Sequence, residues 1–454
     1  MSLVNSVKHS NFPLNGISSY TTKSGSQVVI FEIIGSQNEL LNMKSLRLTS
    51  DMDVLDKNGR RVNNFSIFSN TGGVTAGGVG GNGVNNIDIN AYAGFSSLVQ
   101  SIVIQDGLNN VLESVYNYPA LLNTSTQLSL SQEDLGTWSA CSWGVKNFGR
   151  QVQNQRAINS TAQMAQKFYL GLTQSYPLPF ALLGQNKLKI TLTLAPSPQV
   201  INGCNPTSKQ IDSAITVDTS RDITSSYISM SNIKLIYNTI VLPDNVKLPK
   251  TGYSFRHFTT NQSTVNSSNQ NTQYQPIATN AISVINNFIP SERLNNYKYD
   301  SVQSIKLRNE TGGDETVAEI KETLFLKNSQ RFPLIFPINE RILVNNESFD
   351  AERAYYYISG INQYSYIDDI VIQPSTENFG SFEEATTPSF DRSVYGVGIR
   401  YDDLSSSMGT NFSNSNFGVR INSEVNGTKV NEMISHIYST RRLVAGASAP
   451  VVIV

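Results

Sequence analysis

Three histidines, His9, His257 and His436, are the side chains in this 454-residue chain best suited to move a proton near neutral pH. None pairs with another at metal-ligand spacing, and no H-E-x-x-H or related zinc pattern occurs. A Ser-His-Asp or Cys-His site needs a positioned base beside a nucleophile. Neither His257 nor His436 stands in a G-x-S-x-G or comparable context, so a surface or core histidine is the simpler reading of each. Cys141 and Cys204 lie far apart and outside any C-x-x-C pattern. That excludes a Cys-based zinc site and a disulfide-stapled scaffold, and nothing in the spacing supports a bridge between them.

Other chemistry-bearing segments fail on spacing. Thr71–Gly83 (TGGVTAGGVGGNG) is glycine-rich but lacks the Gly-Lys-Ser/Thr ending that brings lysine and magnesium to a phosphate, and reads as a surface loop. Asp51-Met52-Asp53-Val54-Leu55-Asp56-Lys57-Asn58-Gly59 superficially resembles a calcium loop, yet the oxygen ligands, glycine and closing glutamate are not at EF-hand positions. A hairpin explains the same Asn and Gly. The acidic pairs Asp368-Asp369, Glu383-Glu384 and Asp402-Asp403 suggest glycosidase carboxylates. Adjacent strand residues point to opposite faces, so no such pair makes a facing acid–base couple, and solvated turns are the default. Arg441-Arg442 suffices for a single phosphate contact at most. Trp138 and Trp143 flank Cys141; a sugar platform could use such rings, and core packing or a subunit contact explains them more simply. The expectation is no catalytic residue, no metal site, no cofactor and no enzymatic activity.

The elements that would position any site are strands. Lys187–Leu194 alternates without a fault, setting Leu188, Ile190, Leu192 and Leu194 on one face. Tyr395, Val397, Ile399 and Tyr401 repeat the pattern, as do Phe417, Val419, Ile421 and Val425. Ser26–Ile34 and Ile233–Leu242 are apolar on both faces, which predicts strands covered on both sides. Asn58-Gly59 and Asn426-Gly427 predict tight type I′ hairpins. Helical signals are short: Val111–Leu122, limited by Pro119; a start at Ser131 with Glu133 and Asp134 in its first turn; and Asp350–Tyr357. They do not alternate with strands, so they sit in loops rather than in βαβ crossovers. Long polar connections are expected at Thr71–Gly83, Gly203–Ser226 and Asn261–Tyr274. A boundary near Leu242–Gly252 divides the chain into 1–245 and 246–454, each large enough for its own core, with no repeat between them at the level of sequence.

Charged residues are only 15%, against about 25% in ordinary soluble domains, and Asn, Ser, Thr and Gln fill the gap. Such a surface suits an object that packs against many copies of itself without charge repulsion. An AT-rich genome, which inflates Asn codons, accounts for it equally well. The net charge of −1 gives no field for nucleic acid or an anionic membrane. The opening MSLVNSVKHS is neither a basic arm nor a signal peptide, and no apolar run approaches ~18 residues. Folding in a cytosol-like compartment is expected.

Taken in order, several segments resemble the double jelly-roll major capsid proteins of double-stranded DNA viruses. Tyr176-Pro177-Leu178-Pro179-Phe180, leading into Leu188–Leu194 and Ala195-Pro196-Ser197, resembles the family's loop into a late strand of the first barrel. Met230–Tyr237 resembles the strand that closes that barrel, and Leu121–Leu135 its helical insertion. Arg331-Phe332-Pro333-Leu334 with Asp350–Tyr357 resembles the middle of the second barrel. Val394–Tyr401, the loop Gly409-Thr410-Asn411, Phe417–Val425 and Ile434–Val454 resemble its terminal strands.

The resemblance implies an all-β fold of two consecutive eight-stranded jelly rolls, 1–245 and 246–454, with short helices and long loops inserted. It implies a homotrimeric, pseudo-hexagonal capsomer that tiles an icosahedral shell around double-stranded DNA and is assembled inside the host cell, in the cytoplasm or a virus factory. Implied partners are further copies of the chain, penton, minor capsid or cement proteins, and a membrane beneath the shell; sequence-specific nucleic-acid binding is not among them. The polinton-like and virophage branch fits the length better than the giant-virus branch. Two other classes remain: another virion part (minor capsid, penton or fibre), and a carbohydrate-binding β-sandwich protein, which would normally carry a secretion signal.

Overall fold

A strand with one apolar face must find a second layer to cover it, and two sheets packed face to face are the usual solution. The computed structural model describes residues 5–55, 59, 64–66, 87–89, 94–122, 155–157, 162–196, 201–203, 227–243, 246, 252–265, 269–276, 278, 280–290, 306–308, 314–316, 319–333, 338–339, 396–401, 409–424, 431–445 and 450–453. Among them the chain is predominantly β-sheet.

In the first half, Asn5–Asn11, Tyr227–Val241, Glu39–Leu55 and Ala162–Lys167 lie side by side, all antiparallel. Facing them are Gln27–Ile34, Lys187–Leu194, Val99–Asp106 and Val111–Val115, again antiparallel. The first core fills the space between. Leu188, Ile190, Leu192 and Leu194 join Phe31 and Ile104 of their own sheet and Leu48, Met230 and Leu235 of the other. Each such side chain contributes ~1.5–3 kcal/mol by leaving water.

The second half repeats the scheme. Tyr253–Val265, Asn431–Ala445, Asn280–Pro290 and Gly396–Arg400 form one antiparallel run. Asn269–Tyr274, Phe417–Glu424, Glu319–Lys327 and Gln330–Arg331 form the other. Their core sets Phe417, Val419 and Ile421 against Val284, Met433 and Ile437. Tyr401, Phe412 and Phe417 meet edge to face, at 70° and 90°, the arrangement that ring quadrupoles favour.

Counted in chain order, the eight main strands of each half share one spatial order. One sheet runs first, eighth, third, sixth, and the other second, seventh, fourth, fifth. The halves are also joined: Val111–Val115 meets Tyr253–Val265 through one parallel bridge, Ser114 to Thr259, making a continuous nine-stranded sheet.

Several expectations change. Val111–Leu122 is not one helix. Its first five residues form a strand, and helical backbone starts only at Tyr118, where Pro119 fits the first turn because its missing N–H has no partner to lose there. Asn261–Tyr274 is no loop but the end of one strand and the whole of the next, Tyr253–Val265 and Asn269–Tyr274. Its amides and hydroxyls hid the alternation. Asn426-Gly427 and Asn58 lie outside the described residues, and the strands that flank them do not pair with each other. Phe417–Glu424 and Asn431–Ala445, on either side of Asn426-Gly427, belong to different sheets. Glu39–Leu55, before Asn58-Gly59, pairs with Tyr227–Val241 and Ala162–Lys167 rather than with the chain that follows. Gly59 does hold the positive φ of 77° that a reversal needs. The strands Gln27–Ile34 and Tyr227–Val241 bury one face only; Val28 and Ile34 stay exposed because they stand on the face opposite Val29, Phe31 and Ile33, away from the core. Burial on both faces occurs instead in Asn431–Ala445, where every residue from Glu432 to Ser439 is buried. The expected helices at Ser131 and Asp350–Tyr357, and the loop Thr71–Gly83, lie outside the described residues.

Candidate functional site

Among the described residues, a densely hydrogen-bonded buried polar cluster lies where the two halves meet. On Val111–Val115 the carboxylate of Glu113 is 1% exposed. Its Oε1 accepts the backbone N–H of Gly171 at 2.8 Å and of Phe258 at 2.8 Å, and its Oε2 accepts that of Leu172 at 2.9 Å. Two of these donors come from the short 3-10 turn of the first half and one from the first strand of the second. Burial pushes the Glu113 pKa up to about 7, against the pull of the three N–H groups and of the Arg441 charge. Arg441, buried on the last long strand, donates from Nη1 to the carbonyls of Val111 at 3.1 Å and Leu112 at 3.2 Å. Arg441-Arg442 is therefore no phosphate contact: the first arginine clamps the halves, and only Arg442 faces solvent.

The histidines are structural. His257 and His436 are fully buried, and the pairing of Tyr253–Val265 with Asn431–Ala445 puts them on opposite faces of the sheet. Burial, with help from the Arg441 charge, holds His257 well below the ordinary imidazole range. Burial alone takes His436 to about 3, and its Nδ1 lies 3.1 Å from Thr260 Oγ1. His9 stacks on Tyr237 at 5.1 Å and reaches Thr239 Oγ1 at 2.8 Å. Asp51 and Asp53 sit in a paired strand, with Asp51 bonded by Asn232, so they line no calcium loop. Among the described residues no group of His, Cys, Asp and Glu is placed to hold a metal, and no helix is long and apolar enough to cross a membrane. Trp138, Cys141, Trp143, Cys204 and the acidic pairs lie outside the described residues.

Sequence reasoning missed Glu113, having read its segment as helical. A carboxylate inside Val-Leu-Glu-Ser-Val is the signal that was there, since a charge within an apolar strand demands partners.

A second feature is an exposed apolar row. Residues 11–15 run along the outer edge of Gln27–Ile34. Asn11 Nδ2 donates to Glu32 O at 3.0 Å, Leu14 N to Ile30 O at 2.7 Å and Asn15 Nδ2 to Val28 O at 2.9 Å. Phe12, Leu14 and Ile34 are each more than 60% exposed there, with Val28 beside them.

No family model matches the sequence, and no curated protein matches it. Solved structures do match in fold. The Faustovirus major capsid protein superposes with a TM-score of 0.60 at 9% identity, over 98% of this chain and 91% of that one. The Sputnik virophage structure gives 0.58 at 10% identity, over 99% and 88%. The capsid of PBCV-1 virus gives 0.55 at 12% identity, over 100% and 98%. The whole chain thus shares the fold of these viral capsid proteins.

Proposed function

We propose that this chain is the major capsid protein of a double-stranded DNA virus, a structural protein that performs no catalysis. The fold likeness over nearly the whole of both chains carries this reading. Each half, 1–245 and 246–454, is a jelly roll. The repeated order of first-eighth-third-sixth opposite second-seventh-fourth-fifth supports this, being the order that results when a strand ribbon folds over into two facing four-stranded sheets.

Three chains make a pseudo-hexagonal capsomer, because each brings two similar halves to a threefold axis. Self-association is favoured by the apolar row at Phe12, Leu14, Val28 and Ile34, and capsomers then array through further self-contacts. The low charge permits this crowding, and with a net charge of only −1 the genome is held by other components or by a lining membrane. Penton and minor capsid or cement proteins complete the shell inside the host cell.

Light scattering of the purified chain, followed by negative-stain microscopy, tests the reading. A species near three times 50.0 kDa with a hexagonal outline is expected. A monodisperse monomer with no tendency to array overturns it.

A further inference from the structure

Just past the Ser114–Thr259 bridge, Tyr116 and Asn117 on one side and Thr260, Asn261 and Gln262 on the other line a cleft of about 430 Å³, open to solvent. That volume lies within the ~300–1,000 Å³ typical of small-molecule sites. Its lining is unusual in kind. Four side-chain amides, those of Gln100, Asn117, Asn261 and Gln262, surround it together with three hydroxyl side chains and the half-exposed ring of Tyr116. No charged side chain lines it.

We infer that this cleft binds a neutral sugar. Side-chain amides and hydroxyls offer donor and acceptor atoms to neighbouring sugar hydroxyls, and an exposed aromatic ring receives the apolar C–H face of a pyranose. A phosphate or an acidic glycan would call for Arg or Lys, which the lining lacks, and the helical stretch that begins at Tyr118 is only five residues long. An added peptide strand would need a free backbone edge. Here the edge is capped, since the Tyr116 N–H donates to Thr260 Oγ1 at 3.3 Å.

The amides are held in place rather than loose. Asn117 Nδ2 donates to Gln262 Oε1 at 3.2 Å, and Gln262 Nε2 donates to the buried carboxylate of Glu432 at 3.3 Å. Glu432 also accepts from Thr264 Oγ1 at 3.1 Å, which fixes it from behind. Glu432 is a positioning residue: it fixes which end of the Gln262 amide donates, and through that the orientation of Asn117. The site spans both halves, so it exists only when they are docked. It does not depend on the capsid reading.

The test is saturation-transfer NMR on the full chain with the methyl glycosides of glucose, galactose, mannose and N-acetylglucosamine. At least one should bind with a dissociation constant of roughly 1 mM. Tyr116→Ala and Asn261→Ala should each weaken it roughly tenfold or more, while Tyr176→Ala, at an exposed tyrosine outside the cleft, should leave it unchanged. Glu432→Gln should weaken binding while leaving the thermal midpoint closer to wild type than Glu432→Ala does. No binding at tens of millimolar overturns the inference, as does binding that Tyr116→Ala and Asn261→Ala both leave intact.

Discussion

A β-carbon on Gly171 would lie 2.5 Å from both the backbone nitrogen and the Cα of His257. The glycine is not there for its dihedral freedom, because its φ of −60° and ψ of −42° suit any residue. It is there because backbone of the first half touches backbone of the second. Gly171→Ala should therefore force the halves apart and cost about 1–3 kcal/mol, the usual range for overpacking. A thermal midpoint equal to wild type would show that the contact yields freely.

Glu113→Ala leaves three buried N–H groups without their acceptor and should cost ~3–5 kcal/mol, as for loss of one member of a buried charged set. Glu113→Gln keeps an acceptor oxygen and should cost less. Because the donors come from both halves, calorimetry of Glu113→Ala should resolve two transitions where the wild type gives one. A single transition in both proteins would mean the seam is not held by this carboxylate.

Acid should loosen the fold through its histidines. In the unfolded chain His257 and His436 take up protons near pH 6.5 and Glu113 near 4.5. In the folded chain burial takes His436 to about 3 and holds His257 well below 6.5, while Glu113 is already protonated below about 7. As pH falls below 6.5 the unfolded state thus binds more protons from these groups than the folded one, and stability falls, by up to about 1.4 kcal/mol per pH unit for each extra proton. His436→Gln should flatten this slope, and His257→Gln with His436→Gln should reverse it, leaving the rise due to Glu113. Denaturant midpoints at three pH values read it directly; an unchanged slope in the double variant would rule the histidines out.

Phe12→Asp with Ile34→Asp places two charges on the apolar row. Both positions are exposed, so the monomer should change by no more than about 0.5 kcal/mol. Light scattering should show that this variant no longer forms the proposed trimer. Trimers of normal mass would move the interface elsewhere.

The parts legible in the sequence were those where burial and alternation coincide. In Lys187–Leu194 every inward residue is aliphatic and every outward one is Lys or Thr, so the strand and its buried face read directly. Asn431–Ala445 is covered on both faces and carries Glu432, Ser435, His436 and Ser439 in buried positions, so no period marks it. An Asn-Gly pair does not tell which sheet the chain enters next, since that is decided by distant partners: Phe417–Glu424 and Asn431–Ala445 belong to different sheets. The seam was unreadable for the same reason: Arg441 and Leu112 stand 329 residues apart, and neither predicts the other. Only the lone Glu113 in an apolar strand announced that something must answer it.

The edge strand Asn5–Asn11 pairs with Tyr227–Val241, the last strand of its own half. During synthesis Asn5–Asn11 must therefore wait for more than two hundred later residues before they find their neighbour. Such non-local closure slows folding and leaves a sheet edge open in the meantime. Glu113 waits longer still, for the N–H of Phe258. The nascent chain is thus exposed to premature pairing with its siblings, and an assembly made of many copies depends on keeping them apart until each is finished.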